Sequence, residues 1–237
     1  MDRSEIYRKV ESFGIAKTLQ DLLFRAVNRV MFIKILKGVT ISKADEKFTH
    51  CSQNYRGQFL DAVLLMRFSG DPANELSKAF LGDALNHGDE CYGFLHDDAL
   101  AAYGWYSNRP TPIDIPELTL HFDRQYIYMY KGFTHVNHRG QRLHAVGMTR
   151  ALEAYLAQGF KGIVSYVEWN NFASLRSCYR MGYEEFGTIV VTKIFGRYLV
   201  HCSGGCRPFG FRLEAHRAEP EHQPADRGKA AGESAGS

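Results

Sequence analysis

The chain has 237 residues, 45% hydrophobic and 13% aromatic, enough for one sizeable apolar core and an added subdomain. A net charge of +3 is too mild to argue for nucleic acid, no apolar run approaches the ~18 residues of a membrane span, and the opening Met-Asp-Arg-Ser-Glu is unlike a secretory signal, so a cytoplasmic protein is expected. Five cysteines, odd in number and scattered, read as reduced thiols, and His201, Cys202 and Cys206 lack the second ligand pair of a zinc site, so no metal is expected.

In chain order, Ile15, Leu19, Leu22, Leu23, Ala26, Val27 and Val30 recur at spacings of three and four, one apolar face of a helix with Lys17, Arg25 and Arg29 among its polar positions. That face is expected to pack on the domain; the alternative is a basic amphipathic helix on an anionic membrane surface. Met31 to Ile41 reads as a strand able to extend a sheet edge, and Ser42 to Asn54 as polar connection. Residues 1–54 thus form an N-terminal extension, whose first 50 residues hold ten Lys/Arg against six Asp/Glu.

From Tyr55 a short strand (to Leu60) and a short helix (Asp61 to Phe68) are expected, then a helix opened by Asp71-Pro72, with Leu76, Phe80, Leu81, Ala84 and Leu85 on one face, and closed by Asn86-His-Gly88. Glu90–Leu95 and Leu100–Tyr106 read as a hairpin about His96-Asp-Asp98, and the three prolines of Asn108–Pro116 as a loop. Gln125–Thr134 reads as a strand on which Tyr126, Tyr128 and Tyr130 alternate, either a half-buried aromatic face or a substrate wall. A helix from His138 to Gly159, a strand from Gly162 to Val167, a helix from Asn171 to Gly182 and strands from Glu185 to Phe195 and Arg197 to Cys202 follow. From Glu214 onward the composition has no hydrophobic period, and residues 214–237 are expected to be a disordered, dispensable tail.

Two junctions carry the chemistry. Phe133 to Ala145 turns a strand into a helix, where orphan backbone amides and the helix dipole favour an anion, and Arg139, Gly140 and Arg142 sit there. Arg139-Gly140-Gln141-Arg142-Leu143-His144 resembles motif A of the GCN5-related N-acetyltransferases (GNAT superfamily), Arg/Gln-x-x-Gly-x-Gly/Ala. Arg142 stands in place of the first glycine and His144 in place of the second small residue. Some thirty residues on, Val167 to Tyr183 resembles motif B of the same family, with Asn171 opening a helix, Ser174 three positions later, and Gly182-Tyr183 closing it. Cys178 stands where the family commonly carries a Tyr that protonates the departing thiolate, and Tyr179 is displaced by one.

The resemblance covers roughly residues 55–213 and implies an α/β (α+β) fold, a mixed, mostly antiparallel sheet with splayed central strands flanked by helices, and a bulge for that splay at Gly132. It implies acetyl-coenzyme A, or another acyl-coenzyme A, held by Thr134, Val136, Arg139, Gly140, Gln141, Arg142, Leu143, His144, Ala145, Asn171 and Ser174, with His144 alternatively facing solvent. The activity implied is N-acyl transfer to a small-molecule amine by direct attack. Glu168 is the candidate base and Cys178 or Tyr179 the candidate acid; His121 and His135 are weaker bases. The alternatives are a non-catalytic binder of coenzyme A or of a partner protein, and a transferase fed by an acyl carrier protein, whose acidic surface would suit the basic first quarter.

Overall fold

The computed structural model describes residues 3–28 and 32–215. The elements run α1 (Arg3–Phe13), α2 (Ile15–Val27), β1 (Phe32–Ile41), β2 (Tyr55–Leu60), α3 (Ala62–Phe68), α4 (Lys78–His87), β3 (Glu90–His96), β4 (Ala99–Ser107), β5 (Thr111–Pro112), β6 (Leu118–His121), β7 (Tyr126–Thr134), α5 (Leu143–Ala157), β8 (Gly162–Glu168), α6 (Phe172–Arg180), β9 (Glu184–Ile194), β10 (Arg197–Cys202) and β11 (Arg212–Ala215). Eight strands form one sheet in the order β10-β9-β1-β8-β7-β4-β3-β2, and β11-β6-β5 form a second. Every pairing is antiparallel except β7 with β8. This is the α/β fold with a mostly antiparallel sheet that the sequence leads one to expect.

The β7–β8 pair positions everything else. It is in register only from Tyr126↔Gly162 to Tyr128↔Val164, and the Ser165 hydroxyl then donates to the Met129 carbonyl at 2.8 Å. Beyond that point β7 continues to Thr134 and β8 to Glu168 with no pairing between them among the described residues. The strands splay and leave a free edge on β7. The bulge that accompanies the splay is at Tyr130, the residue skipped between Trp105↔Lys131 and Tyr106↔Met129, rather than at Gly132 as expected. A bulge breaks the alternation of faces, so Tyr130 and Lys131 both turn toward α4, where each meets the Phe80 ring. Gly132 has a different reason to be glycine. A Cβ there would lie 2.5 Å from the His144 ring.

Three apolar clusters hold the layers together. One lies under α5 and α6 against the sheet (Val39, Ile127, Val146, Leu152, Tyr155, Ile163), one under the small sheet (Leu36, Leu120, Tyr128, Val164, Ile189, Phe211), and one under α3 and α4 (Leu65, Leu81, Leu100, Trp105). Helix starts are capped as their sequences suggest: Asp61, Ser77 and Asn171 each accept from a backbone amide three residues on.

Several expectations are corrected. β1 is no edge strand: it pairs with β8 on one side and β9 on the other. The helix expected from Asp71-Pro72 is a single 3-10 turn (Pro72–Asn74), because Glu75 adopts a left-handed conformation and α4 restarts at Ser77. The helix expected from His138 starts at Leu143, after a 3-10 turn (Val136–His138). Within the expected loop and tail, β5 and β11 flank β6, so Glu214 and Ala215 are paired to Thr119 and Leu118; residues 216–237 lie outside the described residues. Finally, α2 is turned inside out. Ile15, Leu19, Leu23 and Val27 are exposed, whereas Thr18 and Asp21 are buried; Val30, of the same expected face, lies outside the described residues. The Asp21 carboxylate accepts from Lys9 (2.6 Å), Arg25 (3.0 Å) and Asn170 (3.0 Å), and a buried charge so fully bonded decides which face turns inward.

Candidate active site

The free edge of β7 leads into the turn of residues 135–142 and then the first turn of α5. That turn is anchored at its near end, where the Tyr55 hydroxyl on β2 and His138 Nδ1 lie 3.2 Å apart. It closes with Gly140 at φ 81° and Arg142 at φ 60°. Arg142, at the place where the motif it resembles has glycine, takes up a glycine-like left-handed conformation, which costs a side-chain-bearing residue ~1 kcal/mol or more. The reward is geometric. The amides of Leu143, His144 and Ala145 open α5 without intrahelical acceptors, and the Arg142 side chain stands beside them.

A cleft of about 430 Å³ lies there between α5 and α6, lined by Lys47, Phe48, Arg142, His144, Ala145, Ser177, Arg180 and Met181. Three cations and no carboxylate face it. Of the expected coenzyme residues, Arg142, His144 and Ala145 line this cleft. Thr134 ends β7 half-buried, Val136 is 63% exposed, and Arg139, Gly140 and Gln141 are exposed on the turn beside the cleft. Leu143 is buried in the core and offers its amide alone. Asn171 accepts from the Ser174 amide at 3.2 Å, with its own side chain at the start of α6 rather than in the cleft lining. His144, expected as a coenzyme residue or alternatively facing solvent, lines the cleft and packs against Gly132, and burial holds its pKa below the usual value, so the ring is neutral at pH 7.

The expected catalytic groups are dispersed. Glu168 ends β8 in an ion pair with Lys34 of β1. The Tyr179 hydroxyl donates to Glu185 at 3.1 Å, and burial together with that carboxylate raises its pKa. Cys178, one residue earlier and so about 100° around α6, turns toward the main apolar cluster, where burial pushes its thiol up to about 11. His121 pairs with Glu214, and His135 caps the 3-10 turn through its own ring nitrogen.

Two residues of the cleft went unread in the sequence. Lys47 and Arg180 complete the cationic cleft; Arg180 stands two residues before Gly182 and shows no distinguishing spacing, and Lys47 lies in the polar connection. The tyrosines read as an aromatic face or a substrate wall stand on the opposite face of the splay, where Tyr128 is buried and stacks on Tyr166, and the Tyr130 hydroxyl donates to Asp89 at 2.8 Å. Burial and the Asp89 carboxylate push the Tyr130 phenol far up, so it stays protonated.

No known family profile matches the chain, and no curated protein does. It is similar to a putative acetyltransferase of the GNAT family from Novosphingobium aromaticivorans, at 14% identity and a TM-score of 0.49, over 68% of this chain and 64% of that one. A GCN5-related N-acetyltransferase-like protein from Streptococcus suis is similar at 12% identity and a TM-score of 0.47, over 78% and 68%. A GNAT-family acetyltransferase from Colwellia psychrerythraea is similar at 16% identity and a TM-score of 0.44, over 72% and 60%. The chain therefore spans somewhat less than two thirds of the first and third of these proteins.

Proposed function

We propose that the protein is an acyl-coenzyme A-dependent N-acyltransferase, most simply an acetyltransferase. The observation that carries the reading is the free edge of β7, which runs from the splay at Tyr130 into an anion-binding helix start flanked by Arg142, Arg180 and Lys47. The pyrophosphate of the coenzyme meets the α5 amides and these cations, and the pantetheine arm lies along β7 as a further strand would. The thioester carbonyl then faces the strand-edge amides, which stabilise the oxyanion as an amine attacks.

Thiolate departure needs no residue acid, since Cys178 is turned inward and Tyr179 is bound to Glu185. A small-molecule donor is favoured over a carrier protein because half of the ten cations in the first fifty residues are already engaged within the chain: Lys9 and Arg25 by Asp21, Lys34 by Glu168, Lys37 by Glu185 and Lys47 by Asp45. The same pairing of Glu168 favours, as a second reading, a coenzyme binder without turnover. The two separate in one assay: thiol release from acetyl- and longer acyl-coenzyme A with a panel of small amines. Amine-dependent release supports the transferase; tight binding without release supports the binder.

A further inference from the structure

Two flanks of α6 border clefts. Ser177 and Met181 line the cationic cleft, whereas Phe172, Leu175, Arg176 and Tyr179, spaced three and four apart, face the N-terminal hairpin of α1 and α2. Between that second flank and the hairpin lies another cleft, of about 490 Å³, and Arg180 lines both. Its walls are aromatic. Phe13 from the end of α1 and Trp169 from the β8–α6 junction each meet the Phe172 ring, with centroids 5.5 and 6.3 Å apart. Tyr179 adds a ring that is 47% exposed, its hydroxyl tied back to Glu185.

The charges in this cleft have one sign: Lys17, Arg176 and Arg180 line it, and no carboxylate does. Lys17 Nζ stands 5.4 Å from the centre of the Phe172 ring and Arg176 Cζ 4.9 Å from that of Phe13, contacts that fasten the hairpin to α6 and leave each cation its charge. None of the three is in an ion pair among the described residues. The carboxylates of the adjoining elements are already committed, Asp21 to Lys9, Arg25 and Asn170, and Glu185 to Lys37 and Tyr179. A cleft lined by cations alone concentrates its field on an anion, and ring walls take a flat apolar body. We infer that the cleft between the α1–α2 hairpin and α6 is a binding site for an aromatic carboxylic acid, its ring against Trp169, Phe172 and Tyr179 and its carboxylate on Lys17 and Arg176. The site stands apart from the transferase reading, since neither the β7 edge nor the α5 amides enter it. It gives the hairpin, which lies outside residues 55–213, a role of its own.

The test is calorimetric titration of the full chain with indole-3-acetate, using indole-3-acetamide and tryptamine as neutral and cationic compounds with the same ring, each with and without saturating acetyl-coenzyme A. Indole-3-acetate should bind saturably and one-to-one, the amide at least about tenfold more weakly, and tryptamine not at all. Lys17→Gln and Arg176→Gln should each weaken the acid by about tenfold, whereas Arg142→Ala, on the other flank of α6, should leave it within about twofold. Arg176 also donates to the Ser12 carbonyl at 2.8 Å, so Lys17→Gln, at an exposed position, carries the test even if Arg176→Gln loosens the hairpin. Equal binding of acid and amide, or undiminished binding by Lys17→Gln, overturns the site. Displacement by acetyl-coenzyme A overturns it too, because the cleft would then hold the coenzyme's own ring and phosphate. So does a parent that binds no indole-3-acetate at millimolar concentration, and that result leaves the transferase reading untouched.

Discussion

Two helices of similar length, α2 and α5, meet the same fold with opposite faces. α5 buries Leu143, Val146, Ala151, Leu152 and Tyr155 against the sheet, as its apolar spacing dictates. α2 has the sharper apolar stripe, yet turns it outward and buries Thr18 and Asp21. The difference teaches that periodicity says a helix has two faces and leaves open which one docks. For α2 the choice falls to one carboxylate with three donors waiting on α1, its own next turn and the β8–α6 junction.

The largest expected effect is on the conventional side of that comparison. Leu152→Ala in α5 leaves a cavity in the main cluster and costs about 2–5 kcal/mol, read as a lowered urea midpoint. On the other side, Asp21→Ala strands partners that are themselves partly hydrated, Lys9 at 21% and Arg25 at 49% side-chain exposure, and costs roughly 1–3 kcal/mol.

The pH dependence sharpens this. Burial alone would raise the Asp21 pKa, but hydrogen bonds from Lys9, Asn170 and Arg25 outweigh it and hold the value below that of a free carboxylate. Its stabilisation is therefore complete above the unfolded value of about 4 and is lost as pH falls through the lower folded value. Limited proteolysis below about pH 4 should open the α1–α2 hairpin in the parent, whereas Asp21→Asn should respond little to acid in that window.

A smaller effect has the opposite sign. Arg142→Gly relieves the left-handed strain and raises stability by about 1 kcal/mol while removing a cation from the cleft, so melting temperature and coenzyme affinity move apart. Smallest of all, Leu23→Ser on the outward face of α2 stays within about 0.5 kcal/mol of the parent; a loss of 2 kcal/mol would show that the stripe is covered after all.

What the sequence revealed follows the range of the forces involved. The alternation of Tyr126, Tyr128 and Tyr130, the Asn171 cap and the Gly182 stop are local, and β7, β8 and α6 stand where they were expected. The seat of β1 between β8 and β9 depends on pairings more than a hundred residues apart, which no local pattern encodes. The bulge was misassigned to Gly132 because a glycine in a strand invites that reading, whereas the space beside it is filled by His144 from another element. For the site, the turn from Arg139 to Ala145 was legible by motif, while Lys47 and Arg180 join it through packing alone.

Titration calorimetry with acetyl-coenzyme A reads out whether the α5 start is built for the pyrophosphate of a coenzyme. Each charged contact is worth about 1.5–3 kcal/mol, so Arg142→Ala and Arg180→Ala should each weaken saturable one-to-one binding by about tenfold or more, and the pair further. Binding of equal strength in the parent and the double variant, or no binding by the parent, would contradict it.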